Sequence, residues 1–484
     1  MVQADEPVPI EVDWDEKWFL ESKTTDYNHK IARIAVLLSE ISYVHVEENP
    51  ESNPMIDTYR ILGFKDSDIE WNYTLDYADS EIGNNQAAYS FACKDIKTGG
   101  GTKKLVFIVL RGTPLSANEW ISNINVSDST HKNVLVHEGF FKTAGKIKTK
   151  LLDFLQKKEI KASEAFFLIT GHSRGASLAN LLAATLDDEK IVTGEHLFVY
   201  TFAAPNVSQE EKTNDEKYNF IWNIVNAEDI IPSIPPNRGN WKWKKFGQTK
   251  VIANYWNTEP QTYMDDFVPR MNEYYTRLLL REYAPFKNGP FFQVQIARLL
   301  TGFYKNVENY YGKFFGLHGI AEKVFEKRFS ARKNDSENSD EEENQPFLLK
   351  ILKKNMDENI DGGFDYAMNA FVDMHACETY LSWLLSLDEN EVYSTLGSTQ
   401  VTINGSYDCA VYDESGKMLA RVLDGAIEIN TVKTPAAAFP LLGKEVLGFA
   451  GNQNLNVVIH KGSLLPTVIA CEVEHYDAAG TLLS

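Results

Sequence analysis

The feature that most constrains the fold is a pentapeptide, Gly171-His172-Ser173-Arg174-Gly175. It joins an apolar run, Phe166 to Thr170, to a small-residue run from Ala176 to Thr185. The first run reads as a buried strand and the second as a helix. A strand that turns at once into a helix forces the central serine into a strained backbone conformation. Glycines on either side let neighbouring backbone pass closely. The serine hydroxyl is then expected to stand exposed above the strand ends. Beneath it lie the amides and positive dipole end of the helix.

Such a turn requires a largely parallel sheet, and the flanking sequence supplies one. Residues 86–110 read as a hairpin turning at Gly99, Gly100 and Gly101, with Leu105 to Leu110 a buried strand. Leu197 to Phe202 and Phe220 to Val225 are further buried strands. Tyr27 to Tyr43 and Glu138 to Lys158 carry helical spacing. Strands alternating with helices predict an α/β fold with a mainly parallel sheet covered on both faces. After Trp256 the pattern turns helical and aromatic, and residues 333–345 form an acidic, polar linker. From about residue 391 short strands separated by turns predict a small all-β, sandwich-like module. The expected division is therefore 1–390, with a helical cap and linker inserted at 257–346, and 391–484.

Serine is a poor nucleophile at neutral pH, so an imidazole must accept its proton and a carboxylate must orient that imidazole. In this fold they follow in the order serine, acid, histidine. Asp229 comes just after the strand Phe220 to Val225 and before a proline-rich turn, at the carboxyl edge of the sheet where ligands bind. Glu228 is its adjacent rival. Of the later histidines, His460 and His475 fall in the β module, which leaves His375 and His318. Asp373 and Glu378 read as helix-end charges. Negative charge on the acyl oxygen needs preorganised amides. One would come from Arg174, after the serine. A second would come from Thr113, where the strand Leu105 to Leu110 ends in Arg111-Gly112-Thr113.

Several stretches together resemble the class 3 lipase family, including its bacterial lipase-like branch. They are Leu110 to Thr113 with Trp120, Val136 to Phe140, Gly171 to Ala176, Thr201 to Pro205, and Asn226 to Pro235. A basic-aromatic strand ending Lys245-Phe246-Gly247 and the stretch His375 to Leu381 complete the set. The resemblance is close over 105–250 and looser at 375. It implies an α/β-hydrolase with a triad of Ser173, Asp229 and His375, and an oxyanion hole at Thr113 and Arg174. It implies hydrolysis of carboxylic esters or lipids with no metal and no cofactor. Arg174 departs from the small or apolar residue often found after the family's serine. A serine peptidase or acyltransferase on the same fold, and a non-catalytic binding protein, are the alternatives to an esterase.

Charge narrows the partners. A net charge of −20 over 484 residues argues against nucleic acid and against tight docking on anionic membranes. It leaves room for transient contact of an apolar patch with lipid. The aromatics of the insertion, among them Tyr274, Tyr275, Phe291 and Phe292, either line an acyl pocket or pack the extra helices together. The β module is a candidate for binding a glycan or a protein, or for stapling the larger domain. Four cysteines form no metal pattern, and Cys409 and Cys471 are expected as buried free thiols rather than a pair. The polar start suits a secreted chain whose signal is absent and equally a cytosolic one. No run is apolar and long enough for a membrane helix.

Overall fold

The computed structural model describes residues 10–44, 53–73, 87–112, 138–235, 237, 242–285, 370 and 372–394. In the C-terminal part it describes 396–404, 407–423, 426–429, 436–441, 444–460, 470–477 and 482–483.

Eight strands form one sheet in sequential order: β1 (Ile69–Asn72), β2 (Tyr89–Thr98), β3 (Gly101–Leu110), β4 (Phe166–His172), β5 (Leu197–Phe202), β6 (Ile221–Asn226), β7 (Gln248–Ile252) and β8 (Tyr393–Ser394). Strands β3 to β7 are parallel, and β1, β2 and β8 are antiparallel to their neighbours. Side chains alternate across this sheet. Leu105, Phe107 and Val109 enter the core on one face, and Val106, Ile108 and Leu110 enter the core on the other. Both faces are buried, so the central strands read as unbroken apolar runs rather than alternating ones.

Right-handed crossovers that always step in the same direction place their helices on one face. Among the described residues two such helices are α2 (Glu138–Lys157), between β3 and β4, and α3 (Arg174–Asp188), between β4 and β5. Both pack in the core on the side of Ile108 and Ile169. The opposite face must be covered by helices from outside the run. It takes α1 (His29–Ile41), which precedes the sheet, and α4 (Val268–Leu279) and α5 (Cys377–Ser386), which follow its parallel part. Helix α1 starts where the Asn28 side chain accepts the amides of Lys30 and Ile31. Helix α4 is tied to the end of α5 by Arg270, which donates to the Ser386 carbonyl and pairs with Glu391. Tyr263, just ahead of α4, stacks on Trp383 of α5 at 5.8 Å. This demand for a second layer is what carries the chain back to the sheet at residue 375.

The C-terminal part folds into two four-stranded antiparallel sheets. One holds β10 (Asp408–Tyr412), β11 (Met418–Leu423), β12 (Ala426–Ile429) and β15 (Asn456–His460). The other holds β9 (Ser398–Asn404), β13 (Ala436–Leu441), β14 (Lys444–Ala450) and β16 (Cys471–Tyr476). Val401, Ile403, Val411, Leu419 and Phe449 form its core. Tyr393 and Ser394 belong to the larger sheet, so the first strand of this part begins at Ser398 rather than near 391. Of the two thiols, Cys409 is buried as expected, but Cys471 is exposed, and both are free. The expected strand ending at Gly247 is corrected too. Lys244 makes only an isolated bridge to Ser208, and β7 starts at Gln248, after Gly247 turns the chain with φ +87°.

Candidate active site

Ser173 occupies the bend between β4 and α3 with φ +58° and ψ −127°, a region costly for any residue with a side chain, by about 1–3 kcal/mol. The bend holds because its surroundings over-determine it. The Ser173 amide donates to the Phe202 carbonyl on β5. The glycines on either side are sterically required. A Cβ at Gly175 would lie 2.1 Å from the Leu110 carbonyl oxygen, and one at Gly171 would lie 2.6 Å from the same atom. The elbow therefore packs directly on the end of β3. Arg174 opens α3 and is buried, at the helix end whose dipole favours an oxyanion. Thr113, the other expected oxyanion donor, lies outside the described residues, as do Trp120 and the alternative base His318.

Asp229 lies three residues past the end of β6, where its amide turns back onto the Asn226 carbonyl. Its Oδ1 accepts the Ile231 amide at 2.9 Å. Its Oδ2 accepts two donors, the ring of His375 at 2.8 Å and the phenol of Tyr380 at 2.7 Å. His375 sits just ahead of α5 and reaches Ser173 Oγ with its other nitrogen at 2.8 Å. A buried carboxylate only accepts, so Nδ1 carries the proton and Nε2 accepts from the serine hydroxyl. Asp229 is fully buried and His375 is nearly so. The structure thus brings Ser173, Asp229 and His375 together from β4, β6 and α5. Glu228 turns the other way, toward Tyr283, whose phenol donates to it at 3.2 Å.

The expectation of an open hydroxyl is corrected. Ser173 is only 7% exposed; His375 hydrogen bonds its Oγ, and His172 packs beside that imidazole at 4.8 Å. His172 is itself held well below the usual imidazole range, by burial first and by the neighbouring His375 second. It stays neutral, and a hydrogen bond of 2.9 Å links its Nδ1 to the Tyr43 hydroxyl.

Three contributors were given no part in the site from the sequence: Tyr380, Tyr43 and a pair of carboxyl groups, Glu40 and Glu378. Tyr380 carries one faint signal, its place five residues after His375 in the final motif. The other two carry none, since helix packing alone brings them in. Glu378 lies in the first turn of α5 as a helix-end charge should, but it is buried against Glu40 rather than solvated. Asp373 pairs with Arg281. Burial raises both glutamates above the ordinary carboxyl range, and Glu378 pushes Glu40 up further. The Cys377 thiol opposes that rise by hydrogen bonding to Glu40, and Arg281 opposes it at Glu378. The folded chain therefore keeps protons here that the unfolded chain releases, and stability falls as pH rises from the carboxyl range through the raised values. Glu40→Gln should flatten that fall and raise the melting temperature by a few degrees at pH 8, with little change at pH 4. Scanning calorimetry across this range checks it.

A strained serine between strand and helix, bonded through a histidine to a carboxylate at the sheet's carboxyl edge, defines the α/β-hydrolase class of site. Residues 107–239, which include Ser173 and Asp229, match the family model described as Lipase (class 3). The chain is 23% identical over 173 residues to secreted mono- and diacylglycerol lipase 1 of Fusarium solani, covering 34% of this chain and 45% of that protein. It is 24% identical over 198 residues to triacylglycerol lipase OBL1 of Arabidopsis thaliana, covering 32% of this chain and 38% of that protein. It thus spans less than half the length of these curated relatives. Among solved structures, the Rhizomucor miehei lipase in complex with its propeptide aligns over 47% of this chain and 69% of that one, at 22% identity and a TM-score of 0.34.

Proposed function

We propose that this chain is a serine-nucleophile lipase of the class 3 type, within the bacterial lipase-like branch, that hydrolyses acylglycerol esters. The observation that carries the reading is the relay from Ser173 Oγ through His375 to Asp229, with both hydrogen bonds at 2.8 Å. The names of the Fusarium and Arabidopsis relatives favour acylglycerols as the ester class.

In the proposed reaction His375 Nε2 takes the hydroxyl proton as Ser173 Oγ attacks the ester carbonyl. The oxyanion is met by the Arg174 amide, with Thr113 as second donor. His375 returns the proton to the leaving glycerol oxygen, and the acyl-enzyme remains. Water then attacks the acyl carbon, gives its proton to His375, and releases the fatty acid as Ser173 regains its hydrogen. Asp229 keeps the imidazole in the required tautomer and stabilises the imidazolium. We assign the residues through Ser394 to this catalytic unit, with Val268–Leu279 part of the layer that covers its sheet rather than a cap, and the residues from Ser398 onward to a β module.

The test is a panel of emulsified tri-, di- and monoacylglycerols, phospholipids, acetyl esters and peptide substrates. Fatty acid release from acylglycerols at least tenfold faster than from phospholipids is expected. Turnover confined to acetyl esters would remove the acylglycerol assignment, and turnover confined to peptides would favour the peptidase alternative.

A further inference from the structure

We infer that Tyr380 is a positioning residue for the acid–base pair, acting through Asp229; this rests on the hydrolase reading above. One oxygen of Asp229, Oδ2, receives both the His375 Nδ1–H and the Tyr380 hydroxyl. Both donors come from one short stretch of chain, His375 and the first turns of α5. The phenol oxygen is itself fixed, because it accepts the amide of Asn226, the last residue of β6, at 3.0 Å. With that lone pair used, its proton is aimed at the carboxylate. Tyr380 and Asp229 are both fully buried, so water does not screen the contact.

The phenol remains protonated. Burial holds it well above the ordinary tyrosine range, and the Asp229 charge pushes it further in the same direction. It can therefore serve Asp229 only as a donor. Together with the Ile231 amide on Oδ1, it leaves neither carboxylate oxygen able to rotate away from the imidazole plane. It also draws off part of the carboxylate's charge, which tempers the pull on the His375 Nδ1 proton. The same bond explains how a histidine 146 residues from its acid in sequence docks in register. The stretch that delivers the base also grips the acid and the strand end behind it.

The test is Tyr380→Phe in the full chain, assayed on p-nitrophenyl esters with kcat, KM and the pH profile read separately. Loss of the donor should lower kcat roughly tenfold, with KM within about twofold. Undiluted carboxylate charge should stabilise the imidazolium, so the acidic limb should move up by about half a pH unit. In an Asp229→Asn background the same substitution should cost little further, because its effect runs through the carboxylate. 3-Fluorotyrosine at position 380, a stronger donor of nearly the same shape, should move the limb down; it serves if the phenylalanine variant misfolds. An unchanged kcat and limb in the phenylalanine variant, or an equal loss in the Asp229→Asn background, would overturn the proposal. Wild-type chain without Ser173-dependent turnover would overturn the hydrolase reading itself, and a Ser173→Ala control distinguishes that case.

Discussion

Ser173→Ala should lower kcat for p-nitrophenyl ester hydrolysis by about 10⁴- to 10⁶-fold, with the protein still folded. Ser173 Oγ is the atom that His375 Nε2 addresses, and alanine leaves the base with nothing to deprotonate. The residual rate would come from the oxyanion donors and from binding. Folding should survive because the bend is held by backbone: the Ser173 amide to Phe202, and the elbow glycines against the Leu110 carbonyl. Alanine tolerates φ +58° no better than serine does, so the melting temperature should move by no more than a few degrees. Stopped assays on purified variant, with circular dichroism alongside, check both halves.

Asp229→Asn should cost about 10⁴-fold in kcat, and the hydrogen-bond inventory shows why an amide of the same shape fails. The carboxylate accepts on both oxygens: Ile231 amide on Oδ1, His375 and Tyr380 on Oδ2. An amide has one acceptor oxygen and one donor nitrogen. If its NH₂ faces Ile231, two donors oppose each other in a buried site. If its NH₂ faces His375, the ring must accept at Nδ1 and carry its proton on Nε2. That nitrogen then cannot take the serine proton. The second orientation also sets NH₂ against the Tyr380 hydroxyl. The second orientation removes the base, and the first keeps the tautomer but leaves a neutral oxygen that cannot stabilise the imidazolium, so both cost rate while the packing volume is kept. A pH–rate profile should show the deficit across the neutral range, and a loss below tenfold would reject this role for Asp229.

Much of this was legible in the sequence where local rules suffice. The run Leu105 to Leu110 is apolar at every position because both faces of β3 are covered, and Gly171 to Gly175 states its own geometry. The place after a buried strand points to Glu228 and Asp229 alike, and the family resemblance is what favours Asp229. His375 was harder. No spacing rule links it to Asp229, because its position is set by the need to cover the sheet face that the crossover helices leave bare. The low exposure of Ser173 was missed as well: the elbow alone predicts an open hydroxyl. Tyr43, Tyr380 and the Glu40–Glu378 pair exist as neighbours only once α1 and α5 pack together. Lys245 misled as a strand residue. Its amine instead ties the Pro232 carbonyl, in the loop after Asp229, to the Asn206 side chain.

The most direct measurement is covalent trapping with an alkyl fluorophosphonate, which forms a bond only to a serine oxygen that a base has activated. Intact-protein and peptide mass spectrometry should show one adduct per chain, located on Ser173, at a rate that falls at least a hundredfold in His375→Ala. Adduct at another residue, or unchanged labelling of Ser173 without His375, would contradict the account.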